Sequence, residues 1–328
     1  MSGSPHEEMN ERLVALLRRD GRAPIVDLAA ELGVPRSVVR SRLRELRESG
    51  DIAIVAIAHP AVLDLDVGCH LSIKVYGSTR DVVEHLLAAE NVTLVSLVSG
   101  EYDIVVELRA RDQRELFDAV EEIRLSDAVR EVCTLVYVDV LRSPFAAAAR
   151  PAQVRLDEID LAIVHRLQDD GRMPFRELAE SVGVSESTAR TRTLALLERE
   201  VMRISTISRR GRRTRNMAMG LGMHVRGYSE DLVATILEIP GVEFLATVIG
   251  NYDMIGTISG NSLPALQRIA EQVRSSSDVT GICTWVHMDF VRETYRLPLG
   301  GGTAGVTPAA RRGSRAPSTP AEDPFALL

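Results

Sequence analysis

The sequence is one unit written twice. A shift of 150 carries Asp20-Gly21-Arg22 onto Asp170-Gly171-Arg172, Leu28-Ala29 onto Leu178-Ala179, and Gly33-Val34 onto Gly183-Val184. The same shift, without a gap, carries Arg40 and Arg42 onto Arg190 and Arg192. It carries Gly100, Tyr102 and Asp103 onto Gly250, Tyr252 and Asp253, Cys133-Thr134 onto Cys283-Thr284, and Arg142 onto Arg292. Solenoid repeats run to about 50 residues at most, so this period marks tandem duplication of a module large enough for two domains. Each structural feature must therefore be satisfied twice, and the positions where the copies differ carry information of their own.

Composition narrows the class. The 328 residues are 45% hydrophobic and 26% charged, which excludes wholesale disorder and fibrous repeats. No apolar run approaches the ~18 residues of a membrane span. Met1 to Asn10 is polar and acidic with no apolar stretch, so no secretory signal is expected and a cytoplasmic protein is. Cys69, Cys133 and Cys283 lack metal-ligand spacing and suggest neither a disulfide framework nor a zinc site. A net charge of −7 excludes a generic polycation coating nucleic acid, so any DNA contact must come from local patches. Lys74 is the one lysine, so the position of an arginine is informative and its choice over lysine is not.

The first part of each module reads as a helix-turn-helix. Leu13, Leu16 and Leu17 repeat at helical spacing, as do Ile163 and Leu167. A short helix over 27–32 ends at Gly33, and a second runs from about Pro35 to Ser49. Ser185 supplies a good N-cap at the matching place in copy two. On the second helix Val39, Leu43 and Leu46 form one stripe, and Arg36, Arg40, Arg44 and Arg47 form another roughly opposite. One face anchors in a core while the other offers donors to phosphates and base edges. Arg36, Ser37, Arg40, Ser41 and Arg44 are the DNA-contact candidates there. In copy two Glu186 and Leu194 replace Arg36 and Arg44, leaving Ser187, Thr188, Arg190 and Thr191 as candidates. Arg42 and Arg192, beside the apolar stripe, are either structural clamps or base readers. The Arg209–Arg215 cluster is either a phosphate contact or a solvated linker.

The second part of each module has the order βαββαβ. Leu71, Ile73 and Val75 alternate with polar residues, then come a helix over 79–89, strands over 92–98 and 102–109 turning at Gly100, a helix over 113–125 and a strand over 132–141. Copy two repeats it over 217–291. The final strand is apolar on both faces, which implies that another sheet covers it.

These residues resemble the leucine-responsive/asparagine-responsive (Lrp/AsnC) family of transcription regulators. Copy two carries the clearest motifs: Leu156-Asp157-Glu158-Ile159-Asp160, Leu167-Gln168, Asp170-Gly171-Arg172, Glu177-Leu178-Ala179, Val182-Gly183-Val184-Ser185, Gly250-Asn251-Tyr252-Asp253 and Gly281-Ile282-Cys283-Thr284. The resemblance covers about residues 9–142 and 156–297. It implies an α+β fold, a winged helix-turn-helix followed by a ferredoxin-like βαββαβ domain, the pair present twice. The domains expected are winged helix-turn-helix units at 9–58 and 156–208 and effector/dimerisation domains at 68–142 and 217–297, with a linker at 143–155 and a disordered tail at 298–328. It further implies double-stranded DNA as partner, an amino acid or related small molecule as effector, and homo-oligomers formed through the sheets. Carried over residue by residue, the effector loops are Gly100, Tyr102 and Asp103, and Gly250, Tyr252 and Asp253; a plain hairpin turn would use the same residues. The family normally has one module per chain, copy one lacks the Leu-Asp-x-Ile-Asp opening, and Glu200 replaces Gly50. With no catalytic constellation, phosphate loop or metal cluster, and no cofactor indicated, the chain is expected not to be an enzyme. Proteins of this architecture that are haem-pathway decarboxylases carry a histidine-rich hairpin motif where this chain has Gly-x-Tyr-Asp. The remaining alternative is an effector-independent DNA-architectural protein.

Overall fold

A computed structural model describes residues 5–143, 156–208 and 217–294. The expected linker beyond Ser143, the Arg209–Arg215 cluster and the expected tail lie outside the described residues. Copy one comprises α1 (Pro5–Arg19), α2 (Ile25–Leu32), α3 (Arg36–Glu48), β1 (Ile52–Ala58), β2 (Val67–Val75), α4 (Arg80–Ala88), β3 (Val92–Ser99), β4 (Ile104–Ala110), α5 (Gln113–Arg124) and β5 (Val129–Arg142). Copy two follows with α6 (Glu158–Asp169), α7 (Phe175–Val182), α8 (Glu186–Glu198), β6 (Met202–Ser208), β7 (Met217–Val225), α9 (Glu230–Glu238), β8 (Val242–Ile249), β9 (Met254–Gly260), α10 (Leu263–Arg274) and β10 (Val279–Glu293).

The strands of the two copies complete one another. Each βαββαβ unit orders its strands as β3-β4-β2-β5 or β8-β9-β7-β10. The last strand of each then pairs with the edge strand of the other, β5 with β8 and β10 with β3, so eight strands close into a barrel. Backbone groups at an open sheet edge need partners, and closure supplies them. Both junctions carry register shifts, as at Tyr137/Asp139 and His287/Asp289; such bulges bend a strand and let it leave one sheet for another. Leu135, Ala246, Val248 and Ile255 fill the interior, packed against Tyr137, Phe244 and Trp285. Outside, α4 and α5 cover one half through Val83, Leu86 and Val120, and α9 and α10 cover the other through Ile236, Leu266 and Val273. Arg292 reaches from β10 to the end of α4, donating to the carbonyls of Leu87 and Ala89.

The helix-turn-helix halves are joined as closely. Strands β1 and β6 form a two-stranded antiparallel ribbon centred on Val55 and Ser205, and one apolar core spans both copies from Leu13 to Ile204. The repeated Asp-Gly-Arg belongs to this junction. Gly21 donates its N–H to Ile204 O at 2.9 Å and Gly171 donates to Ile54 O at 2.8 Å, each reaching the other copy's strand. A Cβ at either glycine would stand 2.7 Å from Ile204 Cγ2, so neither position has room for a side chain. The arginines cross over too. Arg172 donates to Gly21 O and Ala23 O at 3.0 Å, and Arg22 donates to Met173 O while its guanidinium lies 4.4 Å from the Phe175 ring centroid. Between copies, Arg47 also pairs with Asp170 at 2.9 Å.

Replacement of Gly50 by Glu200 does not change the chain path. Glu200 takes φ 55° where Gly50 takes φ 71°, and both leave their helix by the same left-handed turn. A left-handed conformation costs an L-residue about 1–2 kcal/mol, part of which glycine's greater unfolded freedom offsets. Glu200→Gly is therefore expected to raise stability by about 0.5–1 kcal/mol, read as a higher urea midpoint at unchanged m-value, and Gly50→Glu to lower it similarly.

Candidate nucleic-acid interface and effector loops

In copy one the turn between α2 and α3 holds Gly33 at φ 68°, and Val34 N–H returns to Ala29 O. Val39, Leu43 and Leu46 of α3 are buried. Arg36, Ser37, Arg40 and Arg44 are exposed, and Arg36 and Arg40 hold no ion pair among the described residues. Ser41 is half-buried and donates to Glu45 Oε1 at 3.0 Å. Arg42 is a clamp: it binds Asn10 on α1 and Glu45 on its own helix.

Copy two builds the same scaffold with different chemistry. Ser185 caps α8 by accepting the Thr188 N–H at 3.1 Å. The Ser185 hydroxyl also meets those of Ser187 at 2.9 Å and Thr188 at 2.8 Å. Ala189, Thr193 and Leu196 face the core. Arg190 and Thr191 are exposed, Thr188 is half-buried, and Leu194 is 49% exposed where copy one has Arg44. Arg192 is the second clamp, donating to Asp157 at 2.6 Å and Asp160 at 2.9 Å. Asp157 is itself the N-cap of α6 in a capping box with Asp160. The Asp160 N–H and Arg192 hold its carboxyl below the usual range. The Leu-Asp-x-Ile-Asp opening thus grips the second helix, and in copy one Asn10 stands where Asp160 does.

The Gly-x-Tyr-Asp loops lie at the β3–β4 and β8–β9 turns, and each rests on the other copy's last strand. Gly100 packs on Thr284 and Trp285, and Gly250 on Thr134 and Leu135. Cys133 donates its S–H to Asn251 Oδ1 at 3.2 Å, tying a copy-two loop to a copy-one strand. One carboxylate oxygen of Asp103 accepts the Val75 N–H, and one of Asp253 accepts the Val225 N–H, both at 2.9 Å. These aspartates therefore anchor the turns to β2 and β7, and each has a second oxygen. Burial raises both phenols, Tyr102 and Tyr252, above their ordinary range. The sequence reading missed the residues around the loops: Lys74, Glu101 and Glu131 in copy one, and His224, Asn251 and Gly281 in copy two. Glu101 and Asn251 stand inside the motifs themselves; that Lys74 and Glu131, or His224 and Gly281, border the loops is shown only by strand pairing.

Inside the barrel lies a cavity of about 30 Å³ lined by His70, Glu107, Trp285 and His287 among others. That volume is enough to admit water. His287 Nδ1 lies 2.9 Å from Ser96 Oγ, and His70 packs 5.6 Å from the Trp285 ring.

An AsnC-type helix-turn-helix domain matches residues 8–47 and again 156–197, and the Lrp/AsnC ligand-binding domain matches residues 69–144. The HTH-type transcriptional regulator FL11 of Pyrococcus abyssi is 30% identical over 132 residues, which are 40% of this chain and 87% of that protein. The chain belongs to the Lrp/AsnC family of helix-turn-helix transcription regulators. FL11 of Pyrococcus furiosus is 25% identical over 136 residues, 41% of this chain and 90% of its own length. Each of these relatives is thus one module long, and this Lrp/AsnC chain holds two. Among the described residues no helix is long and apolar enough to cross a membrane.

A solved structure of a different kind corrects one expectation. The siroheme decarboxylase NirDL, in co-complex with an iron-uroporphyrin III analogue, superposes with a TM-score of 0.60 over 88% of this chain and 93% of its own, at 17% identity. A second NirDL structure gives 0.61 over 89% and 94%. At that identity the likeness shows the fold alone. It nevertheless overturns the expectation that the chain is not an enzyme, because an enzyme uses the whole two-module architecture. The missing catalytic motifs carried that expectation, and they are not sufficient ground for it.

Burial of His70 makes stability depend on pH. Desolvation pushes its imidazole down to about 3, whereas an unfolded histidine titrates near 6.5. A lowered folded value means stability is fully present above the unfolded value and is lost as pH falls below it. Between pH 7 and pH 5 the loss from this group is about 2 kcal/mol. Urea unfolding at the two pH values measures it, and His70→Leu is expected to remove that increment of the difference.

Proposed function

We propose that this chain is a transcription regulator that reads an asymmetric DNA site with two unlike helices held in one pseudo-dimer, under control of an amino acid bound at the Gly-x-Tyr-Asp loops. The observation that carries the reading is the contrast between α3 and α8 on a shared scaffold. Helix α3 has five arginines and two glutamates, and α8 has two of each. A symmetric dimer reads a palindrome because its halves are identical. Here the ribbon β1–β6 and the crossed Asp-Gly-Arg motifs hold the halves together while their faces differ. Arginine offers paired donors to guanine O6 and N7, and Leu194 and Thr191 offer apolar contact to a thymine methyl. Electrostatic attraction to phosphate falls mainly to the first helix.

The effector reading rests on loop chemistry. A zwitterion needs donors for its carboxylate and an acceptor for its ammonium, and a loop with exposed amides and an aspartate offers both. The sheet-to-sheet contact expected between separate chains is made within one chain, so larger homo-oligomers would use outer surfaces such as that around Phe117 and Leu125, 53% and 81% exposed.

Two other readings are distinguished by ligand. An effector-independent architectural protein binds DNA but gives no heat with any amino acid. A decarboxylase reading draws on the whole-length likeness to NirDL, and an absorbance titration with an iron tetrapyrrole at micromolar protein tests it.

On genomic fragments recovered by DNA immunoprecipitation, Arg36→Ala and Arg40→Ala are each expected to weaken binding by about 1–3 kcal/mol if they contact bases. Arg190→Ala should act on the other half of the site. Gel-shift titration measures this, and no change for both copy-one variants removes α3 from the interface.

A further inference from the structure

The two Gly-x-Tyr-Asp loops lie in unlike surroundings. In copy one the loop is filled by the chain's own side chains. Lys74 Nζ donates to Glu101 Oε1 at 3.0 Å and to Glu131 Oε2 at 3.1 Å, and sits 4.7 Å from the Tyr102 ring centroid. The Tyr102 hydroxyl donates to Glu131 Oε1 at 3.2 Å. The two carboxylates hold the ammonium above its ordinary range, and Lys74 in turn holds Glu131 below its own. An ammonium, two carboxylates and an aromatic face thus satisfy one another.

The shift of 150 removes this arrangement from copy two. Lys74 becomes His224, Glu101 becomes Asn251 and Glu131 becomes Gly281. Tyr252 lies against Gly222, where a Cβ would stand 2.6 Å from its ring; copy one has the buried Ser72 at that place. The His224 ring is 5.2 Å from the Tyr252 ring, and its Nδ1 is 3.8 Å from Asp253 Oδ2. The His224 and Asp253 side chains are 52% and 53% exposed. Asp253 is the copy-two carboxylate of the set, Glu101 of copy one lies near enough to act on Tyr252, and at Gly281 the backbone faces the His224 ring, 3.5 Å from where a Cβ would stand.

We infer that each chain binds one amino acid, at the copy-two loop, and that the copy-one loop is a lock whose place for a cation is taken by Lys74. This rests on the effector reading above. The α-ammonium goes to the Asp253 oxygen not engaged by Val225 and to the Tyr252 face. The α-carboxylate goes to donors on Asn251 and His224. Lys74 does in copy one, from within the chain, what the ligand's ammonium does in copy two, and the cation stays in place because two carboxylates and a ring hold it. Duplication thereby separates a sensing module from a module fixed in one state.

Isothermal titration calorimetry of the intact chain against each of the twenty amino acids tests this. A binding amino acid is expected at one per chain. Tyr252→Ala and His224→Ala should weaken it at least tenfold, and Lys74→Met should change it less than twofold. Installing the lock in copy two, as His224→Lys with Asn251→Glu and Gly281→Glu, should abolish binding. The reverse set, Lys74→His with Glu101→Asn and Glu131→Gly, should raise the stoichiometry to two. Circular dichroism melts confirm that each variant is folded. Two sites per wild-type chain, or loss of binding in Lys74→Met with Tyr252→Ala unaffected, overturns this inference and leaves the effector reading standing. No heat with any of the twenty overturns both.

Discussion

Neither half of this molecule closes its sheet edges or its helix-turn-helix core without the other. The backbone groups along β3 and β8 find partners on β10 and β5, and those along β1 find them on β6. An isolated two-stranded ribbon or an open apolar sheet face is marginal in water, so the copies are stable as a pair. A single module of this kind would have to find a second half by association at finite concentration. Here that half is covalently attached, and the entropy of bringing two chains together is removed.

Covalent pairing frees the two copies to differ. In a symmetric dimer any substitution appears at both sites, so a change that helps one half is imposed on the other. In this chain α3 keeps an arginine face while α8 turns to hydroxyls and an exposed leucine, and the Lys74 cluster has its counterpart in His224, Asn251 and Gly281. The shared framework diverges less. Asp-Gly-Arg is unchanged because Gly21 and Gly171 each face Ile204 at a distance that no side chain fits. Arg42 and Arg192 are kept as well, although their partners differ, an amide and a carboxylate in one copy and two carboxylates in the other.

Much of this was legible in the sequence because it is local or periodic. Helical stripes such as Val39, Leu43 and Leu46, glycine turns at 33 and 183, and two-residue alternation around Leu71 are signals within a few residues. The apolar final strand even announced a covering sheet. The pairing itself was not legible, since the β5–β8 and β10–β3 junctions join residues about 100 to 200 positions apart through bulges, and no short-range pattern encodes them. Crossing of Arg22 and Arg172 to the opposite copy was hidden for the same reason, as were Lys74 and Glu131, which meet only when β2 and β5 lie side by side. The expectation about catalysis failed differently. It took the lack of familiar motifs as evidence, and whole-chain likeness to an enzyme shows how little that lack decides.

The central claim is that two unlike modules act as one reader. Selection of the intact chain on a random duplex library, followed by sequencing, tests it most directly. The recovered site is expected to have two different halves in fixed spacing, one of them lost when α3 is altered and the other when α8 is. Recovery of perfect palindromes from the wild-type chain contradicts it.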